Sequence, residues 1–153
     1  MDLSKLKKGQ MIVLGAGLLL FINTFIPWQR YDFFYVGVNV NAWHYFLAWF
    51  GSFLGIAAAV LIALKVIANM KINAGPLKVE HLAFVLGALG FLFVFIQLLS
   101  HLGSMFVGVW LGLLFAAALV FGTFLAMKEE GLDVKDFAAL GGRGTPPPPP
   151  PQG

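Results

Sequence analysis

The chain contains no cysteine. Disulfides, thiolate metal sites and thiol nucleophiles are therefore excluded. This absence fixes no redox compartment. Charge is nearly as scarce. Only 11% of the 153 residues are Asp, Glu, Lys or Arg, where a soluble domain carries roughly a quarter. Too little polar surface remains to cover a water-soluble body, and lipid is the simplest alternative. The net charge is +3, and the lysines stand in separate short clusters. That pattern argues against a nucleic-acid face and for positive charge flanking a membrane. Motifs are missing as well. There is no H-E-x-x-H, no paired carboxylate inside an apolar run and no nucleophile beside an evident base. No cofactor or metal is expected.

What the chain has is apolar length. It is 59% hydrophobic, with a mean hydropathy of +0.86. Four runs, 11–27, 42–64, 82–99 and 105–127, contain no Asp, Glu, Lys or Arg. Each is at or near the roughly 20 residues needed to cross a bilayer. One such run could be a buried soluble helix, but four in so short a chain leave no polar covering. The spacing predicts an all-α membrane protein: four antiparallel transmembrane helices in an up-down-up-down bundle. Residues 1–10 read as an N-terminal tail, 11–127 as the transmembrane domain and 128–153 as a tail ending in six prolines. That end favours polyproline II and could engage a proline-binding partner. A basic start before an apolar run also fits a signal peptide. Phe21–Trp28 is bulky, however, with no small-x-small cleavage pattern, so a signal anchor is expected.

Nine of the ten Lys and Arg lie before the first run, between the second and third, or after the fourth. Only Arg30 lies between the first and second. The positive-inside rule then predicts both termini in the cytoplasm of an inner-membrane, multi-pass protein. The aromatics agree. Trp28, Tyr31, Tyr35, Trp43 and Tyr45 cluster at the opposite ends of the first two runs, where amphipathic rings anchor at an interface.

The stretch Pro27–Trp49 carries the unusual chemistry. Val36, Val38 and Val40 alternate with Gly37, Asn39 and Asn41, as in a strand. A short β-ribbon turning near Gly37 and an irregular loop both fit. Asn41 stands where it could cap the second helix. Arg30, Asp32, His44 and His101 share the outer side and could form a polar cluster, against the plainer alternative of solvated interfacial side chains. Asn23, Ser52, Gln97 and Thr123 are polar residues within the runs. Gly51, Gly55, Gly87, Gly108, Gly112 and Gly122 lie in four-residue small-residue patterns that let helix backbones approach in lipid. Packing within one copy is the plainer outcome; a homo-oligomer or contact with other membrane proteins is the alternative.

Pro27-Trp28 closing the first run and Asn41-Ala42-Trp43 opening the second, with a proline-rich tail, resemble small four-span membrane proteins of high-GC Gram-positive bacteria. The resemblance implies an architecture and no activity. Claudin-like proteins fit less well, since their outer loop carries two cysteines. Small multidrug-resistance exporters place a Glu in the first span, which is absent here. The expected function is a structural or interaction component of the envelope. The alternatives are a small transport or channel component and a membrane enzyme with an outer-face site.

Overall fold

The computed structural model describes residues 6–69, 73–74 and 77–138. The proline end lies outside them. Four helices dominate: α1 (Lys8–Asn23), α2 (Phe46–Ile67), α3 (Val79–Ser100) and α4 (Val107–Glu129). Between α1 and α2, strands β1 (Pro27–Phe33) and β2 (Val36–Asn41) pair antiparallel. The alternation of valines therefore makes a ribbon. A second, minimal pair, β3 (Asn73–Ala74) and β4 (Leu77–Lys78), precedes α3.

Helices α2, α3 and α4 are long and apolar enough to cross a membrane. Helix α1 has 16 residues, about 24 Å at ~1.5 Å per residue, which is shorter than a hydrocarbon core of about 30 Å. Its run was expected to extend to Pro27, but Pro27 already belongs to β1. The second helix likewise starts at Phe46. Ala42–His44 forms a separate 3-10 turn, and Asn41, expected to cap the helix, makes no side-chain capping bond.

The helices form a closed ring in which α1 packs on α2 and α4, and α3 packs on α2 and α4. Sequential helices run antiparallel. The start of α1 meets the end of α4, because a Cβ on Gly9 would strike the Ala126 backbone. Its end meets the start of α4 through Asn23 and Gly108. Val13, Leu20, Ala58, Ile62, Ala83 and Leu119 form the main core. Trp28, Ala42, Ala48, Val94, Leu98 and Val109 form a second cluster under the ribbon. The outside of the ring is apolar too: Leu18, Phe53, Leu92, Leu114 and Phe121 are exposed.

The glycines divide by what they approach. Gly51 and Gly55 on α2 face Gly90 on α3. A Cβ on Gly90 would lie 2.7 Å from the Gly51 oxygen and 2.9 Å from the Gly55 nitrogen. Gly122 takes Ile12 and Val13 of α1. Gly87 meets the Thr123 side chain at an ordinary 3.5 Å and the Val120 backbone at 4.0 Å. Gly90, off the expected row, is thus the close-approach residue of α3. Gly108 and Gly112 mainly seat Trp28 and the last residue of α1, Asn23. A Cβ there would strike the Trp28 indole, at 2.6 and 2.7 Å.

Candidate functional site

The ribbon is fixed to the bundle from below. Trp28 falls where the β1–β2 register slips, between Pro27 and Gln29. The bulge turns its indole down onto α4, where it is 1% exposed. This departs from the expected interface anchor: the flat seat left by Gly108 and Gly112 offers more burial than a lipid headgroup boundary. The indole Nε1–H donates to the Asn23 carbonyl at 2.9 Å, and the Asn23 amide donates to the Gly108 carbonyl at 2.8 Å. Beside it, the Arg30 amide donates to the Ser104 carbonyl at 3.0 Å, and the Phe106 amide to the Trp28 carbonyl at 2.9 Å. The α3–α4 connection thereby acts as a third strand along β1.

Strand alternation sorts the ribbon into two faces. Gln29, Tyr31 and Phe33 pair with Val40, Val38 and Val36. At the root of the ribbon this face turns toward the bundle, while Phe33, Val36 and Val38 nearer the tip stay exposed. Gln29 is buried and accepts from the Tyr31 hydroxyl at 2.7 Å. With its proton so placed, Tyr31 accepts from the Tyr45 hydroxyl at 2.7 Å. The Tyr45 ring meets His101 edge-on, with centroids 4.9 Å apart. The Gln97 amide donates to His101 Nδ1 at 3.2 Å, which leaves the ring proton on Nε2. The result is two short hydrogen-bonded sets, Gln29–Tyr31–Tyr45 and Gln97–His101, joined by a ring contact, with no strong acid or base in them.

Arg30, Asp32, Gly37 and Asn39 occupy the other face. Arg30 Nε donates to Asp32 Oδ1 at 3.1 Å, and both side chains are well exposed. A Cβ on Gly37 would lie 2.9 Å from Asp32 Oδ1. Gly37 therefore makes room for this pair and is not the turn. The turn is Phe34–Tyr35, with Phe34 at φ 53°. The two are 100% and 102% exposed.

The four polar candidates are not brought together. Arg30 holds Asp32, His44 Nδ1 faces Asn41 Oδ1 at 3.1 Å, and His101 holds Gln97 on the opposite side of the ribbon. The period of two separates them: the face that carries Arg30 and Asp32 cannot also carry the Tyr31 contact to Tyr45 and His101. Among the described residues, no group of three His, Asp or Glu could hold a metal. Tyr35 stands at the tip. Trp43 is half exposed, its ring 6.0 Å from that of Phe25. Ser52 is buried, and its hydroxyl has no partner among the described residues.

The opposite end of the bundle carries an ion network with no single-residue signature. Glu80, 1% exposed, pairs with Lys65. Lys65 also reaches Glu130 at 3.4 Å, and Glu130 pairs with Lys7 at 2.9 Å. Four segments are tied there. The Lys7 hydrogen bond, with Lys65 nearby, holds the Glu130 carboxyl below its ordinary value, although partial burial opposes this. His81 is buried, and its Nε2 faces Asp136 Oδ2 at 3.3 Å. Lys65 and Glu80 taken singly read only as a flank and a first-turn carboxylate. Their spacing across a helix-to-helix connection was the available signal.

Apolar grooves among the described residues lie on the outside of the ring, two of them between neighbouring helices. The larger, about 410 Å³, runs between α3 and α4 and is lined by Phe84, Phe91, Phe121 and Phe124. The smaller, about 230 Å³, runs between α1 and α2. No protein-family model, curated protein or solved structure matches the chain.

Proposed function

We propose that this is a four-span inner-membrane protein with cytoplasmic termini that serves as a structural or interaction component of the envelope, with the ribbon as its outward contact surface. The apolar exterior of all four helices supports embedding, with α1 completed as a span by the turn that follows it. Lys7, Lys65 and Lys128 at one end, against Arg30 alone at the other, support the orientation.

One observation carries the interaction role. Phe34 holds a left-handed backbone conformation and is wholly exposed. That conformation suits Gly or Asn and disfavours a bulky residue by about 1–2 kcal/mol. No packing among the described residues repays this, so we take the residue to serve something outside the chain. Phe34→Gly tests this directly. The variant should unfold later than the parent in detergent, yet recover fewer partner proteins when purified from native membrane. Unchanged recovery would overturn the contact role.

A further inference from the structure

We infer that two copies of this chain join through β2, antiparallel and in register about Val38, to form one continuous sheet over the bundle ends. The inference rests on the ribbon as an outward interaction surface and names its occupant as a second copy.

Strand β1 is used on both edges. One edge pairs with β2, the other with the 104–106 segment. The free edge of β2 has no backbone partner among the described residues. Open strand edges are normally blunted by Lys, Pro or a bulge. Strand β2, Val36–Asn41, contains none of these: it has no charge and no proline, and the register shift lies in β1. It is an unprotected template for strand addition.

Its pattern selects a copy of itself. Antiparallel pairing about Val38 sets Val36 against Val40 of the second copy, Val38 against Val38, and Gly37 against Asn39. Valines then meet valines on one face, a favourable cross-strand pairing, and each glycine leaves room for an asparagine on the other. No like charges meet along the edge.

The absence of cysteine makes the test direct. Val38→Cys places one thiol on the two-fold axis, within the separation a disulfide spans when Cα atoms lie about 4.4–6.8 Å apart. Mild oxidation in native membrane should shift the band from the 16.6 kDa monomer to the dimer. Mixed Val36→Cys and Val40→Cys copies should cross-link to each other more than either does to itself. Phe34→Cys, more exposed but off the axis, should remain mostly monomeric. Cross-linking of Phe34→Cys equal to that of Val38→Cys would overturn the pairing, as would an adduct of Val38→Cys to a different protein or none at all. If Val38→Cys fails to fold, the Val36/Val40 mixture decides alone. Failure here with partner recovery still sensitive to Phe34 would remove the dimer and leave the interaction role standing.

Discussion

The indole of Trp28 donates to the main-chain oxygen of Asn23 at 2.9 Å while lying flat across Gly108 and Gly112. One side chain thus joins the end of α1, the root of the ribbon and the start of α4. Asn23 closes the set by donating its amide to Gly108. The ribbon is an extension of the bundle rather than a loop resting on it.

Trp28→Ala should be among the most damaging single changes. Emptying a buried aromatic site typically costs about 3–5 kcal/mol. Trp28→Phe keeps most of the volume and removes the hydrogen bond, so its loss should be smaller. Thermal unfolding in detergent ranks the two. Hydrogen exchange should show β1 amides losing protection before those of α3. Equal protection in parent and Trp28→Ala would refute the tie.

Glycines that look alike in sequence should respond differently. Gly90→Ala drives a methyl into the backbone of α2, and overpacking of this kind costs about 1–3 kcal/mol. Gly87→Ala meets the Thr123 side chain at ordinary contact distance and should be tolerated. Gly15 has nothing within 4 Å. Gly15→Ala should be neutral or stabilise α1 by up to about 1 kcal/mol through helix propensity. Unfolding temperatures in the order Gly15→Ala, Gly87→Ala, Gly90→Ala would agree. Any loss for Gly87→Ala as large as that for Gly90→Ala would not.

The same contrast marks how much could be seen in advance. The four apolar runs and the alternating valines needed no tertiary information, because period and length report them directly. The turn at Phe34–Tyr35 was hidden because it uses no Gly or Asn, and Gly37 drew attention instead. Burial of Trp28 was hidden because a tryptophan beside a membrane helix reads as an interface anchor. Only the facing pair Gly108 and Gly112, far along the chain in α4, shows otherwise. The candidate site dissolved for a local reason: Arg30 and Asp32 share a strand face that Gln29 and Tyr31 do not. The ion network joins residues such as Lys7 and Glu130 that no local window contains.

Glu130 makes that network sensitive to pH. Its folded value lies below the ordinary 4.5. Such a depressed carboxylate contributes stability above its unfolded value and loses it as pH falls through the folded one. The Lys7–Glu130 tie should therefore hold at neutral pH and weaken only below about pH 4.5. Glu130→Gln should unfold earlier than the parent at pH 7, and the difference should shrink on acidification. A difference that stays constant from pH 7 to the acid limit would show that Glu130 acts by packing alone.

The Lys65–Glu80 pair sharpens the distinction between holding a fold together and constraining it. Glu80 is 1% exposed, while Lys65 retains contact with solvent and a second carboxylate, Glu130. Removing only the cation leaves a buried carboxylate without its ammonium partner, and breaking a buried pair this way costs about 3–5 kcal/mol. Removing both charges replaces two desolvated ions with apolar volume, which is often neutral or stabilising. Lys65→Met should therefore be strongly destabilised, and Lys65→Met/Glu80→Met should recover most of the loss. The double mutant should recover less than fully, because Lys65 also serves Glu130 and that second tie stays broken. Unfolding midpoints of the two single variants, the double and the parent complete the cycle. A double mutant as unstable as the sum of the singles would mean that the two residues act independently, and that the α2–α3 connection is held by something else.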